Sequence, residues 1–242
     1  VSNLRTFTVR VFGRKTTEPI NNLFLMQPNV KNPLNLGFFA LLPREVTGVV
    51  NALSQQKLQV TSISPFSLYA HPNVVNVYIQ SQESALIFAK KVRRVLNTLT
   101  MLVPSIPEPP PPPAFRLLCQ AFSQIIGAQT VGIIGESCEV LRFRNIPFRV
   151  NGKPVSTDGL SYFNLGFENV DKQGKALCTG TVGLLRREVS PFINVLRKQK
   201  SIKYSPLFTR YFTNPTLHYL NYTAVERPLD FAKISRQAIS VL

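Results

Sequence analysis

A chain of 242 residues has room for one large domain or two small ones, and its 44% hydrophobic and 17% charged residues exclude disorder over most of that length. No apolar run approaches the roughly 18–20 residues that cross a bilayer as a helix, which predicts a soluble chain; it begins with Val1 rather than Met, so the lack of a signal peptide carries no weight. Twenty-eight Lys and Arg against 12 Asp and Glu give a formal charge of +16, which leaves two readings, a solvated basic surface or a face for nucleic acid or another anionic polymer.

Periodicity supplies the elements in chain order. Strand-like segments around 6–12 and 23–26 come first. A strand around 36–42 then runs into a helix with Val46, Val49, Val50 and Leu53 on one face at i, i+3, i+4, i+7 spacing. Two strand-like runs, 59–69 and 74–80, flank a turn at His71-Pro72-Asn73, and a helix opening after Ser84 turns Phe88, Ala89, Val92, Val95 and Leu96 inward. PSIPEPPPPPAF follows from Pro104. Its prolines predict an extended polyproline II spacer, with a proline-rich docking motif as the functional alternative. Beyond it, Leu118, Phe122, Ile125 and Ile126 predict a helix over 115–126 that stops at Gly127.

The chain then repeats itself. Gly37 aligns with Gly180, and that offset of 143 holds without a gap to the C-terminus. LGFFALLPREVTGVVNALSQQK matches TGTVGLLRREVSPFINVLRKQK, Pro72 meets Pro215, and Phe88-Ala89-Lys90 meets Phe231-Ala232-Lys233. Upstream the offset is 139, where Arg10-Val11 and Gly13 meet Arg149-Val150 and Gly152. The order β-α-β-β-α predicts an α+β fold of two tandem ferredoxin-like modules, each an antiparallel sheet with helices on one face, joined by the proline-rich linker. The expected boundaries are 1–103 for the first module, which is expected to lack a leading helix, 104–113 for the linker and 114–242 for the second module.

Catalysis needs several groups to converge, and the repeat tests each of them. His71 meets Asn214 and His218 meets Val75, so neither imidazole is shared, and H-E-x-x-H and C-x-x-C are both missing. Gly174-Lys175 lacks the rest of a phosphate loop, and G-x-S-x-G does not occur. Glu45 and Glu188 are shared, but they open the first helix of each copy, where an acid complements the helix dipole. No catalytic residue, metal ligand or cofactor is predicted; a cryptic metal enzyme is the opposing reading. Cys119 and Cys138 are candidates for a disulfide in an oxidising compartment, leaving Cys178 free, with buried thiols as the alternative. Lys90, Lys91, Arg93, Arg94, Lys203 and Arg210 are the candidate anion contacts. Tyr204, Phe208, Tyr211, Phe212, Tyr219 and Tyr222 crowd the paired strands of the second copy, either to stack bases or sugars or to pack beneath helices or against another subunit.

CQAFSQIIGAQ, the strand of Cys138 leading into RFRNI, LLRREVSPFINVLRKQ, NPTLHYLNY and RPLDFAKISRQAISVL carry a family resemblance. Over 119–242, and more weakly over 37–96, the chain resembles the family of unknown function that includes the LppY and LpqO lipoproteins and many secreted or spore-associated proteins of spore-forming bacteria. Members of that family carry histidines just before and after the Asn-Pro turn. This chain has residues 207–211 and Asn221 at those places, without a histidine. The resemblance implies an extracytoplasmic protein, and the departure implies that any ancestral metal or polar-ligand site is gone. Together these features predict a non-catalytic structural or interaction protein of the bacterial cell or spore surface, self-assembling or joined to other surface proteins by strand addition at a sheet edge. The alternative is a binding module for nucleic acid or an anionic polymer, marked by steep salt dependence.

Overall fold

A computed structural model describes residues 2–16, 20–27, 31–100, 102–103, 110–155 and 159–242. The first half runs β1 (Ser2–Arg5), β2 (Val9–Val11), β3 (Arg14–Thr16), β4 (Asn21–Leu25), β5 (Asn35–Leu41), α1 (Pro43–Gln55), β6 (Gln59–Pro65), β7 (Ala70–His71), β8 (Val75–Ser81), α2 (Ala85–Leu96) and β9 (Leu102–Val103). The second runs α3 (Pro113–Ile126), β10 (Thr130–Ile134), β11 (Ser137–Phe143), β12 (Phe148–Val150), β13 (Lys153–Val155), β14 (Tyr162–Glu168), β15 (Ala176–Leu184), α4 (Arg186–Leu196), β16 (Lys203–Tyr204), β17 (His218–Glu226) and α5 (Pro228–Ile239). Each half builds its own six-stranded antiparallel sheet, in the order β6-β8-β5-β4-β1-β9 and β10-β11-β14-β15-β17-β16. Among the described residues no helix is long and apolar enough to cross a membrane.

Strand alternation decides the layers. Val77 and Ile79 of β8 join Phe39 and Leu41 of β5 beneath α1 and α2, which leaves Leu36, Phe38 and Tyr78 facing away. On β17, Leu220, Tyr222 and Ala224 pack beneath the helices of the second half, while Tyr219 faces away. Both faces of the central strands are therefore apolar, and each sheet covers the face that the other's helices leave bare. Leu36 and Tyr78 share one buried cluster with Phe148, Leu217 and Tyr219; Ala40 and Val74 share another with Leu177 and Val225. The layers run helices, sheet, sheet, helices.

The halves also exchange hairpins. β2–β3 and β12–β13 turn on the two-residue loops Phe12-Gly13 and Asn151-Gly152, with positive φ at all four residues. Val9 and Val11 pack with Leu177 and Val225 of the second half, and Phe148 and Val150 pack with Leu34, Leu36 and Tyr78 of the first. Arg14 donates to the Asn169 carbonyl at 3.0 Å and pairs with Asp171, which holds the Asp171 carboxyl below its ordinary value. The halves thus share cores between them and are not tethered by a linker alone. Of the expected polyproline spacer, residues 104–109 lie outside the described residues, and Pro113 already opens α3.

The mixed α/β character with antiparallel sheets agrees with the sequence, but the ferredoxin-like strand order does not follow. Beside β5 lies β4, from earlier in the chain, where a ferredoxin-like sheet would take a strand from after its second helix. Gly37 makes room for it: a Cβ there would stand 2.4 Å from Cδ1 of Phe24 on β4. In the second half α3 precedes the two shared helices, as the helical spacing over 115–126 predicts, and the strand after α4 shrinks to Lys203–Tyr204, because Pro206 has no N–H to extend the ladder.

Cys119 of α3 and Cys138 of β11 are joined in a disulfide with their Cα atoms 5.7 Å apart, and Cys178 is free and buried. Burial pushes the Cys178 thiol well above its ordinary pKa. A thiol assay is expected to find no reactive sulfhydryl in the native protein and one per chain in denaturant without reductant. Serine at both 119 and 138 should cost about 3 kcal/mol in a denaturant melt; a change below about 1 kcal/mol would contradict that.

Candidate functional site

The two acids shared by the copies are structural. Glu45 accepts the Leu42 N–H at 2.7 Å at the start of α1 and pairs with Arg5 at 2.6 Å; Arg5 also donates to the Ala40 carbonyl at 3.0 Å. Glu188 repeats every contact, accepting from Leu185 N at 2.8 Å and pairing with Arg144 at 2.6 Å, and Arg144 donates to the Gly183 carbonyl at 2.8 Å. Each guanidinium lies over an aromatic ring, Phe7 at 5.2 Å and Phe163 at 5.1 Å. With every carboxylate oxygen engaged in a cap or an ion pair, neither acid is placed for proton transfer.

Between the sheets, the segment after β6 and the segment after β16 each cross the opposite sheet, and the two crossings differ. In one, Arg210 is 7% exposed, with its guanidinium 4.4 Å from the Tyr219 ring and 5.2 Å from the Tyr78 ring, and it donates to the Tyr162 hydroxyl at 3.3 Å. Burial raises the Tyr78, Tyr211 and Tyr219 phenols, against the pull of Arg210, so they are neutral at physiological pH and the cage is a set of π faces and hydroxyls around a fixed cation. This crossing is filled.

In the other crossing Ser67 stands in register with Arg210, and Asn221 with Tyr78, at the same offset of 143. A narrow cleft remains, floored by Thr179, Thr181, Asn221 and Thr223 and edged by Ser67 and Lys203; the space open to the centre of a water molecule is about 10 Å³. Asn221 is fixed there: it accepts from the Thr181 hydroxyl at 2.9 Å, donates from Nδ2 to the Phe66 carbonyl at 2.9 Å, and its N–H reaches Ser205 Oγ at 3.1 Å.

The candidate anion contacts do not converge. Lys90, Arg93 and Arg94 are exposed on α2, where Lys91 pairs with Glu83 at 2.5 Å and Arg94 donates to Gln56 at 3.1 Å. Lys203 sits on β16 of the other sheet, and Arg210, expected on a strand surface, is buried in the aromatic cage because the second sheet covers its face. Of the aromatic set, Tyr222 lies under the helices against Phe192 and Phe231; Tyr211 and Tyr219 lie between the sheets. Among the described residues no group of three or more His, Cys, Asp or Glu could hold a metal ion.

The four sheet edges are not alike. β9 and β16 are two residues long, and β6 ends in Pro65 and shifts register between Val60 and Ser62, devices that blunt an edge. β10 has none of these. Among the described residues it pairs with β11 alone, carries no charge, and exposes Val131 (46%) and Ile134 (67%). Sequence reading passed over β10 and the Thr179–Thr223 pair. The uncharged run between Gly127 and Gly135 marked the first; the mismatches Ser67 with Arg210 and Asn221 with Tyr78, inside an otherwise conforming repeat, marked the second.

A family described as Domain of Unknown Function (DUF1259) matches residues 5–98 and 120–241, one segment in each half, as a tandem repeat would. No curated protein matches the sequence, and no solved structure does.

Proposed function

We propose that this chain, which belongs to the Domain of Unknown Function (DUF1259) family, is a non-catalytic structural or interaction protein of a bacterial cell or spore surface that assembles with copies of itself through β10. The unblunted β10 edge carries this reading. Antiparallel addition of β10 to a second β10, centred on Gly132, sets Thr130 opposite Ile134 and Val131 opposite Ile133 and joins two six-stranded sheets into one. For a chain of charge +16 the choice of edge matters. Residues 128–135 include no charged side chain, so two copies meet there without like charges face to face. Isologous pairing of this kind closes a dimer, on which further contacts between surfaces can build. The Cys119–Cys138 disulfide supports an oxidising setting outside the cytoplasm.

Light scattering is expected to give twice the 27.1 kDa chain mass or a multiple of it, and a Val131→Lys, Ile134→Lys double variant is expected to run at 27.1 kDa. A wild-type chain that stays monomeric at high concentration, or an assembly that the lysines leave intact, overturns the proposal.

A further inference from the structure

We infer that the cleft between the sheets is a binding site for a single carboxylate group. This goes beyond the assembly reading and does not depend on it. The two crossings are one design used twice, with different contents. Where Arg210 and Tyr78 fill the first, Ser67 and Asn221 stand in the second, and two large side chains are replaced by two small polar ones. In an interior that otherwise packs to the density of an organic crystal, the space left is a cleft that reaches solvent.

Its chemistry suits an oxyanion. Thr179 pairs with Thr223 across β15 and β17, and Thr223 pairs with Lys203 across β17 and β16, so two hydroxyls and an ammonium stand in one row over three adjacent strands. Neighbouring strands lie about 4.8 Å apart, a spacing over which a two-oxygen group can reach adjacent donors. Among the described residues neither the Thr179 nor the Thr223 hydroxyl has a protein partner, whereas Asn221 beside them is satisfied on both sides. Among the described residues no carboxylate lines the cleft to oppose an anion, and the chain's charge of +16 raises the local anion concentration. Size narrows the class. About 10 Å³ open to the centre of a water molecule is the room of about one water, so the group enters edge-on with one oxygen in place of that water, which a planar carboxylate does with less bulk behind it than a tetrahedral phosphate.

The carboxylate can belong to a free small acid or to a uronate unit of an acidic polysaccharide. Amide NMR titrations of the full chain with acetate, glucuronate, polygalacturonate and inorganic phosphate, at constant ionic strength, separate these sources. Saturable shifts centred on Thr179, Lys203 and Thr223 are expected with at least one carboxylate. Acetate or glucuronate acting alone identifies a free acid, and the polymer acting alone identifies a polymer unit. Ser67→Arg, which puts the Arg210 side chain into the matching position, and Thr223→Val, which removes one donor at nearly constant volume, are each expected to weaken binding at least tenfold. If no carboxylate shifts these amides, if phosphate shifts them as strongly, or if Thr223→Val titrates like the wild type, the site is not what is inferred.

Discussion

Glutamine in place of Glu45 is expected to lower stability by about 3–5 kcal/mol, and to do so more severely than glutamine in place of Glu188. Glu188 takes two bonds from Arg144 where Glu45 takes one from Arg5, but the burial of the arginine decides the order. The Arg5 side chain is 0% exposed and Arg144 is 15% exposed. Removing the Glu45 charge strands a guanidinium that cannot rotate into water and whose Nε has no partner among the described residues; Arg144 can recover part of its hydration. The Leu42 N–H keeps an acceptor in the amide oxygen of the substituted glutamine, so cap loss adds little. Denaturant melts of the two single variants check the ordering. Changing Arg5 and Glu45 together to methionine is expected to restore most of the loss, because the desolvation of both charges disappears with them. If Glu45→Gln costs less than about 1 kcal/mol, or no more than Glu188→Gln, the account of Arg5 as a trapped charge fails.

Cutting the backbone within 104–113 is expected to leave the native particle at the mass of the uncut protein, with both fragments of each 27.1 kDa chain held together, and to release two fragments in denaturant. The halves interlock through exchanged hairpins, through two clusters with members from both, and through bonds such as Thr61 Oγ1 to the Arg210 carbonyl and the Phe212 N–H to Gln80 at 2.9 Å. Phe148 is the strongest single test of that interlock. It is fully buried against the other half's sheet, and Phe148→Ala should cost about 3–5 kcal/mol, from lost transfer and from the cavity left. In the nicked protein that loss falls on association, and the halves are expected to separate. Wild-type halves that drift apart on nicking, or a nicked Phe148→Ala variant that stays together as firmly as the wild type, would refute the interlock.

The duplication was legible because it compares the chain with itself, and α1, α2 and α3 were legible because Val49 and Leu53, Phe88 and Val92, and Phe122 and Ile126 recur at the period of a helix that buries one face. The glycine stop at Gly127 is likewise local, a left-handed residue at φ 68° where the chain leaves α3. Glu45 and Glu188 were readable as first-turn acids, but not as partners of Arg5 and Arg144, which lie 40 and 44 residues away.

Periodicity, turn chemistry and self-alignment act over a few residues or compare like with like, so they assign the elements, the two copies and one buried face for each. Which cover the second face receives is a matter of contacts between residues far apart in the chain. That is why Tyr219 stood open between a stacking face and a packed one until the second sheet covered it, why Arg210 read as an anion contact until it lay in the aromatic cage, and why β4, from before α1, lies beside β5 where a ferredoxin-like sheet has a strand from after its second helix. The apolar content of the central strands requires a partner layer; only the tertiary structure shows that the partner is the other copy, and that the two crossings it creates are filled at Arg210 and open at Ser67.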